Sequence, residues 1–258
     1  MSVSILRWHG GSGGDMILYI KSLNNPKSII NVEFNTIAPN GKIDINFSNI
    51  SQTTLCEIDK LALAPKWTSQ VNLEKLTKEI AECRPGWIKS HYYGTDQFNS
   101  ITTDLIVDPI SLPFVVTSNL VKTNTLEINL NKIIGLITDP KIKIKYALYS
   151  VANFFISQQS LNQNRILVSD LLVDLNTFKA AVNRTELELE FSVSNVYNQW
   201  LASNQQYLPS SQYKKMIAAN NYDFMNAKLS LAERYSLMAL AGSKFINLES
   251  NENMQSGN

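Results

Sequence analysis

The sequence predicts an α/β fold: a three-layer domain whose mostly parallel sheet carries helices on both faces, with a helical C-terminal third. Three observations predict it. The chain opens with an apolar run, a glycine-rich turn and a second apolar run, the order strand, tight turn, helix. Strand-like segments then alternate with segments of helical period, which favours a parallel sheet with crossover helices. From about residue 169 onward the pattern is helical.

The opening stretch, Ile5-Leu6-Arg7-Trp8-His9-Gly10-Gly11-Ser12-Gly13-Gly14-Asp15-Met16-Ile17-Leu18, organises the rest. Gly10, Gly11, Gly13 and Gly14 around Ser12 leave the backbone free to adopt positive φ and to converge its N–H groups. A helix starting near Asp15 aims its positive end at the same spot, which is the geometry of a phosphate cradle. A glycine-rich first turn also serves simply to reverse the chain sharply. The loop is not a G-x-x-x-x-G-K-[ST] nucleotide loop, because Asp15 and Met16 stand where a lysine and a hydroxyl would be needed. Asp15 suits a helix N-terminus, yet its charge opposes a phosphate placed beside it.

Met16 to Leu23 read as an apolar helix stopped by Asn24-Asn25-Pro26. Ser28 to Phe34 and Lys42 to Phe47 read as strands around the turn Ala38-Pro39-Asn40-Gly41. Leu55 to Leu63 and Leu73 to Cys83 have apolar residues at helical spacing. Arg84-Pro85-Gly86 breaks the second of these and opens the aromatic strand Trp87-Ile88-Lys89-Ser90-His91-Tyr92-Tyr93. Ile101 to Val107 and Leu112 to Thr117 are two further strand expectations, the latter running into a helix through Ser118 to Lys122. Lys141 to Ser157 is expected as a long helix with an apolar face. Arg165 to Val168 is a short strand, followed by the helix-start signal Ser169-Asp170. Asn195 to Ser203 and Leu229 to Leu240 are helical in pattern. Without an internal repeat or a Ser/Gly linker, residues 1–248 read as one domain and residues 249–258 as a frayed tail.

Composition narrows the function classes. The 258 residues are 44% hydrophobic and 17% charged, enough for a sizeable core, and the formal net charge of +1 provides no global basic field. A nucleic-acid partner would need a local patch, and enters here only as an acceptor substrate. Cys56 and Cys83 have no C-x-x-C spacing and no histidine cluster, so they read as reduced structural thiols. Asp96, Asp104 and Asp108 have no spacing that demands a metal. Met1-Ser2-Val3-Ser4 leads straight into the first strand, and no apolar run approaches the roughly 20 residues of a membrane span. A cytoplasmic protein without a membrane partner is the expectation, with the Asn-x-Ser/Thr triplets at Asn46, Asn49 and Asn183 unglycosylated.

The glycine loop and the Lys89-Ser90-His91 stretch together resemble the P-loop sulfotransferases. That family opens with a strand and a loop of the form P-[KR]-S-G-[TS]-[TS], and Gly10-Gly11-Ser12-Gly13-Gly14-Asp15-Met16-Ile17 shares its Ser-Gly core and the apolar helix behind it. A later R-x-x-K-T-H strand of the family is similar to Arg84-Pro85-Gly86-Trp87-Ile88-Lys89-Ser90-His91. Arg165 to Asp174 is similar to a late strand and helix start. The loop lacks the family's basic residue before the serine and its hydroxyl pair after the glycine. Val115 to Lys122 holds no arginine for the donor's 3'-phosphate, and the C-terminal R-K-G-x-x-G pattern survives only as Ala241-Gly242-Ser243-Lys244.

The resemblance implies a P-loop NTPase/sulfotransferase-like fold that moves a sulfuryl group from 3'-phosphoadenosine 5'-phosphosulfate to a hydroxyl acceptor. It implies Gly10, Gly11, Ser12, Gly13, Gly14 and Asp15 at the donor, with Ser118 and Lys122 in place of the arginine. Lys89 would face the group in flight and His91 would take the acceptor's proton. Such chemistry needs an anion cradle, a cation and a base of near-neutral pKa. Lys89 and His91, two apart on a strand, share a face. For both residues the plain alternatives are a solvated strand lysine and a hydrogen-bonded strand-end histidine. His9 reads as structural at the end of the first strand, Trp200 as a packing anchor. Two rival functions stand beside the transferase: a divergent P-loop kinase acting on a nucleotide or a modified nucleic acid and using ATP with Mg, for which Lys89 arrives from another strand, and an interaction protein that keeps the fold without the chemistry.

Overall fold

The computed structural model describes residues 3–29, 32–37, 39, 43–47, 86–90, 101–122, 164–189, 194–223 and 227–241. The expected helices Leu55 to Leu63, Leu73 to Cys83 and Lys141 to Ser157, both cysteines, Asp96 and the tail from 249 lie outside them, as do His91, Tyr92 and Tyr93. The chain divides into two compact units, Met1–Ile106 with Ser157–Gln206, and Val107–Ile156 with Tyr207–Asn258.

The first unit is a mixed α/β body built on a parallel four-stranded sheet. Its strands are β1 (Ser4–Arg7), β4 (Trp87–Ser90), β5 (Ile101–Ile106) and β6 (Arg165–Leu167), in the order β4-β1-β5-β6. In register, Leu6 lies beside Lys89 of β4 and Thr103 of β5, while Arg7 lies beside Ser90 and Asp104. Side chains alternate along a strand, so these two sets stand on opposite faces. Ile5, Leu6, Ile88, Leu105 and Ile166 are sealed in the core, as expected of parallel strands covered on both faces. The chain enters at β1, adds β4 on one side and then crosses to β5 on the other. The carboxyl end of β1 is therefore the point where strand order reverses, the place where ligands bind in open α/β sheets.

Helix α1 (Gly14–Asn24) follows the glycine loop directly and buries Met16, Ile17, Leu18 and Ile20. Beyond it, Asn25 accepts from the N–H of Lys27 and Pro26 opens a single 3₁₀ turn, Pro26–Ser28. Ser28 therefore ends that turn, Ile29 is already extended and bridges Trp87 in parallel, and β2 (Val32–Ile37) pairs antiparallel with β3 (Ile43–Phe47). After β6 come α3 (Val168–Leu171), α4 (Leu175–Val182) and α5 (Ser194–Asn204). Asp174 caps α4 by accepting from the N–H of Thr177 at 2.8 Å. Helix α5 packs against both α1 and α4, with Tyr197 stacked on Phe178 at 5.0 Å between ring centres and its hydroxyl donating to the Leu171 carbonyl.

The second unit corrects one expectation. Leu112 to Thr117 is not a strand: the whole segment Leu112–Lys122 is a helix, α2. The β-branched run Val115-Val116-Thr117 favours a strand by propensity alone. The start signals upstream override it, because the Asp108 carbonyl accepts from the N–H groups of both Ser111 and Leu112, and Pro113 sits in the first turn, where its missing N–H costs nothing. Leu112, Phe114, Val115 and Val116 are buried, so the apolar run serves a helix enclosed on most sides. In the same unit, α6 (Ser211–Ala218) and the helix over 231–241 (α7) share a core of Tyr213, Met216, Ala227 and Leu237.

Candidate functional site

The loop between β1 and α1 is where the sequence and the sheet topology coincide. Gly11 and Gly13 hold φ of 85° and 95°, left-handed values that a side chain disfavours. Gly13 is the N-cap of α1 and offers no side chain to its first turn; its carbonyl accepts from the N–H groups of Met16 and Ile17 at 3.1 and 3.3 Å. Ser12 is buried and turned inward, its Oγ donating to the His9 carbonyl at 2.6 Å and its N–H reaching the same oxygen at 3.1 Å. Among the described residues, the N–H groups of Gly11, Gly13, Gly14 and Asp15 donate to no acceptor. Four unspent donors at the positive end of an 11-residue helix form an anion-attracting surface.

Two tryptophans shape this loop from inside. A Cβ on Gly14 would lie 2.1 Å from Cδ2 of Trp8, and one on Gly13 would lie 3.0 Å from Cζ2 of Trp200. Gly14 is thus required by contact with an indole, whereas Gly13 is required by its backbone angle, with the Trp200 ring only tight against an added Cβ. Trp200 is the packing anchor expected of it, and its contact with Gly13 ties α5 to the loop.

Lys89 is the one expected catalytic side chain that the described residues include. It is not a solvated strand residue. Its side chain is 6% exposed, and Nζ sits 2.7 Å from Oδ1 of Asp15, itself 34% exposed. The same ammonium lies 5.2 Å above the centre of the Trp8 ring, a distance at which the π face attracts a cation. A buried ammonium facing a helix N-terminus meets like charge in the helix dipole, and Asp15 in the first turn offsets both. The glycine loop, Asp15 and Lys89 are therefore one cluster, with Lys89 arriving from the neighbouring strand.

The remaining expected residues belong to the second unit or lie outside the described residues. Ser118 belongs to the second unit, where its Oγ is buried without a hydrogen-bond partner among the described residues. Lys122 ends α2 in that unit. His91 lies outside the described residues. His9, by contrast, is at the loop: its Nδ1–H donates to the Gly10 carbonyl at 2.8 Å, and burial pulls its pKa down to about 4, with that hydrogen bond opposing weakly. The imidazole is neutral at pH 7 and adds no positive charge to the loop.

Sequence reading missed the ion pair beneath the site. Arg7 and Asp104 meet across β1 and β5, Nε to Oδ1 at 2.6 Å and Nη2 to Oδ2 at 2.8 Å, both side chains at most 2% exposed. Each is a lone charge inside an apolar strand, and a lone buried charge requires a partner; that was the available signal. The arginine is thus committed at its Nε and Nη2 to the sheet. No helix among the described residues is long and apolar enough to cross a membrane. No protein-family model, curated protein or solved structure matches this chain.

Proposed function

We propose that the first unit is a P-loop-like, three-layer α/β body whose loop at residues 10–15 receives the phosphate end of an adenine-nucleotide donor, and that the protein is a sulfotransferase-like group transferase. The observation that carries this reading is the meeting of the loop and Lys89: unspent N–H donors of Gly11, Gly13, Gly14 and Asp15 on one side, and a buried ammonium delivered by β4 to the first turn of α1 on the other. Backbone donors bind the resting charge of an anion, and a lysine beside them offsets charge that grows on the oxygens of a group in flight. In this reading 3'-phosphoadenosine 5'-phosphosulfate is the donor and His91 takes the proton of the acceptor hydroxyl, a role that rests on the resemblance of Lys89-Ser90-His91 to the family's strand.

The same arrival of Lys89 from another strand favours, second, a kinase using ATP with Mg, in which that lysine stands in for the one absent from the loop. A thermal-shift titration separates the readings, since a ligand that prefers the folded protein raises its melting temperature. A rise with 3'-phosphoadenosine 5'-phosphate, independent of magnesium, is the expected result. A rise only with ATP and magnesium assigns the kinase, and no rise with any of these ligands leaves the protein as an interaction module whose glycine loop is a turn.

A further inference from the structure

We infer that Asp15 is a built-in competitor for Lys89: its carboxylate holds the ammonium that an anionic ligand at the loop needs, so that binding proceeds by exchange of one anion for another. The inference rests on the reading of residues 10–15 as an anion cradle. Charge at the carboxyl edge of the sheet supports it. Arg7 is spent on Asp104 at 2.6 Å, Lys89 on Asp15 at 2.7 Å, and His9 is neutral at pH 7 with a pKa of about 4. These two cations and two carboxylates balance, so an incoming phosphate finds N–H donors but no cation in excess among these groups.

The two pairs are not equally fixed. The Arg7–Asp104 pair is bidentate with both side chains sealed, and opening it would strand two buried charges. In the Lys89–Asp15 pair the carboxylate is one-third exposed and water can take it over, while Trp8 stays under the ammonium. Lys89 can therefore pass from Asp15 to a ligand oxygen with the carboxylate turning outward. A device of this kind keeps a buried lysine charged and in place without a ligand, and sets a threshold that strongly charged ligands cross more readily than weakly charged ones.

A double-mutant cycle reads the exchange directly. Pyrophosphate binding is measured by calorimetry on the full chain and on Asp15→Asn, Lys89→Met and the double variant, with Lys89→Gln replacing Lys89→Met if the latter does not fold. Asp15→Asn is expected to tighten pyrophosphate about tenfold when Lys89 is present and no more than about threefold when it is not, because only in the first case does the change release an ammonium. Equal gains with and without Lys89, or no gain at all, would overturn the inference while leaving the cradle standing. Absence of binding in both the unaltered chain and Asp15→Asn would remove the cradle reading, and the competitor with it.

Discussion

Arg7 and Asp104 form a closed, bidentate ion pair between adjacent parallel strands, at the same register position and directly before the glycine loop and the exit of β5. The pair welds the two strands at the point where the sheet changes direction.

Truncating one partner leaves the other charged and buried. Asp104→Ala is expected to cost about 3–5 kcal/mol in urea unfolding. The paired replacement Arg7→Met with Asp104→Leu should recover much of that loss, because burying two apolar side chains incurs no charge desolvation. A single-variant loss below about 1 kcal/mol would show that water reaches the pair.

Gly14 and Gly13 test the indole contacts. Gly14→Ala places a methyl group 2.1 Å from the Trp8 ring and should lower stability by about 1–3 kcal/mol or more, as overpacking does. The cost should shrink in a Trp8→Leu background, where the ring is gone. Gly13→Ala carries the additional strain of φ 95°, about 1–2 kcal/mol, which Trp200→Leu should not relieve. Equal losses in the parent and Trp8→Leu backgrounds would contradict the Gly14 assignment.

His9 gives the protein a pH dependence of known sign. Its folded pKa of about 4 lies below the ordinary 6.5, so below pH 6.5 the unfolded chain binds the proton more readily. Stability is then complete above pH 6.5 and falls as pH drops from 6.5 towards 4, on the order of 1–3 kcal/mol over that window. His9→Gln should flatten this part of the stability profile in urea titrations run at several pH values. An unchanged slope would place the responsible group elsewhere.

In the second unit a single carboxylate joins two helix starts. Glu233 accepts from the N–H of Ser210, the N-cap of α6, and from the N–H of Ser230, each at 2.7 Å, while Ser230 Oγ accepts from the N–H of Glu233 in return, the reciprocal pattern of a capping box. Glu233→Ala should cost about 1–3 kcal/mol. Burial pushes the Glu233 pKa up, but the hydrogen bonds from Ser210 and Ser230 outweigh it and the net shift is downward. Its contribution is therefore present above the ordinary carboxylate range and lost as pH falls below it. Nuclear magnetic resonance titration of the Glu233 carboxyl checks the direction, and a pKa above the ordinary value would refute it.

The features legible along the chain are local ones. Strand β1, the left-handed glycines and the start of α1 at the loop follow from neighbours within a few residues, whose backbone preferences do not depend on the rest of the chain. So does the order of strands and helices that makes the first unit α/β. Tertiary structure decided the remainder. Leu112 to Lys122 became a helix because its start signals and its burial outweighed β-branched propensity. Lys89 lies 74 positions from Asp15, and Arg7 lies 97 from Asp104. Sequence shows that each buried charge needs a counter-charge but not which one, since register between non-consecutive strands emerges only when the sheet closes. Ser118 and Lys122 belong to the second unit. Periodicity along a chain records which face a residue occupies; the partner it meets there is fixed by packing over distances that no local pattern encodes.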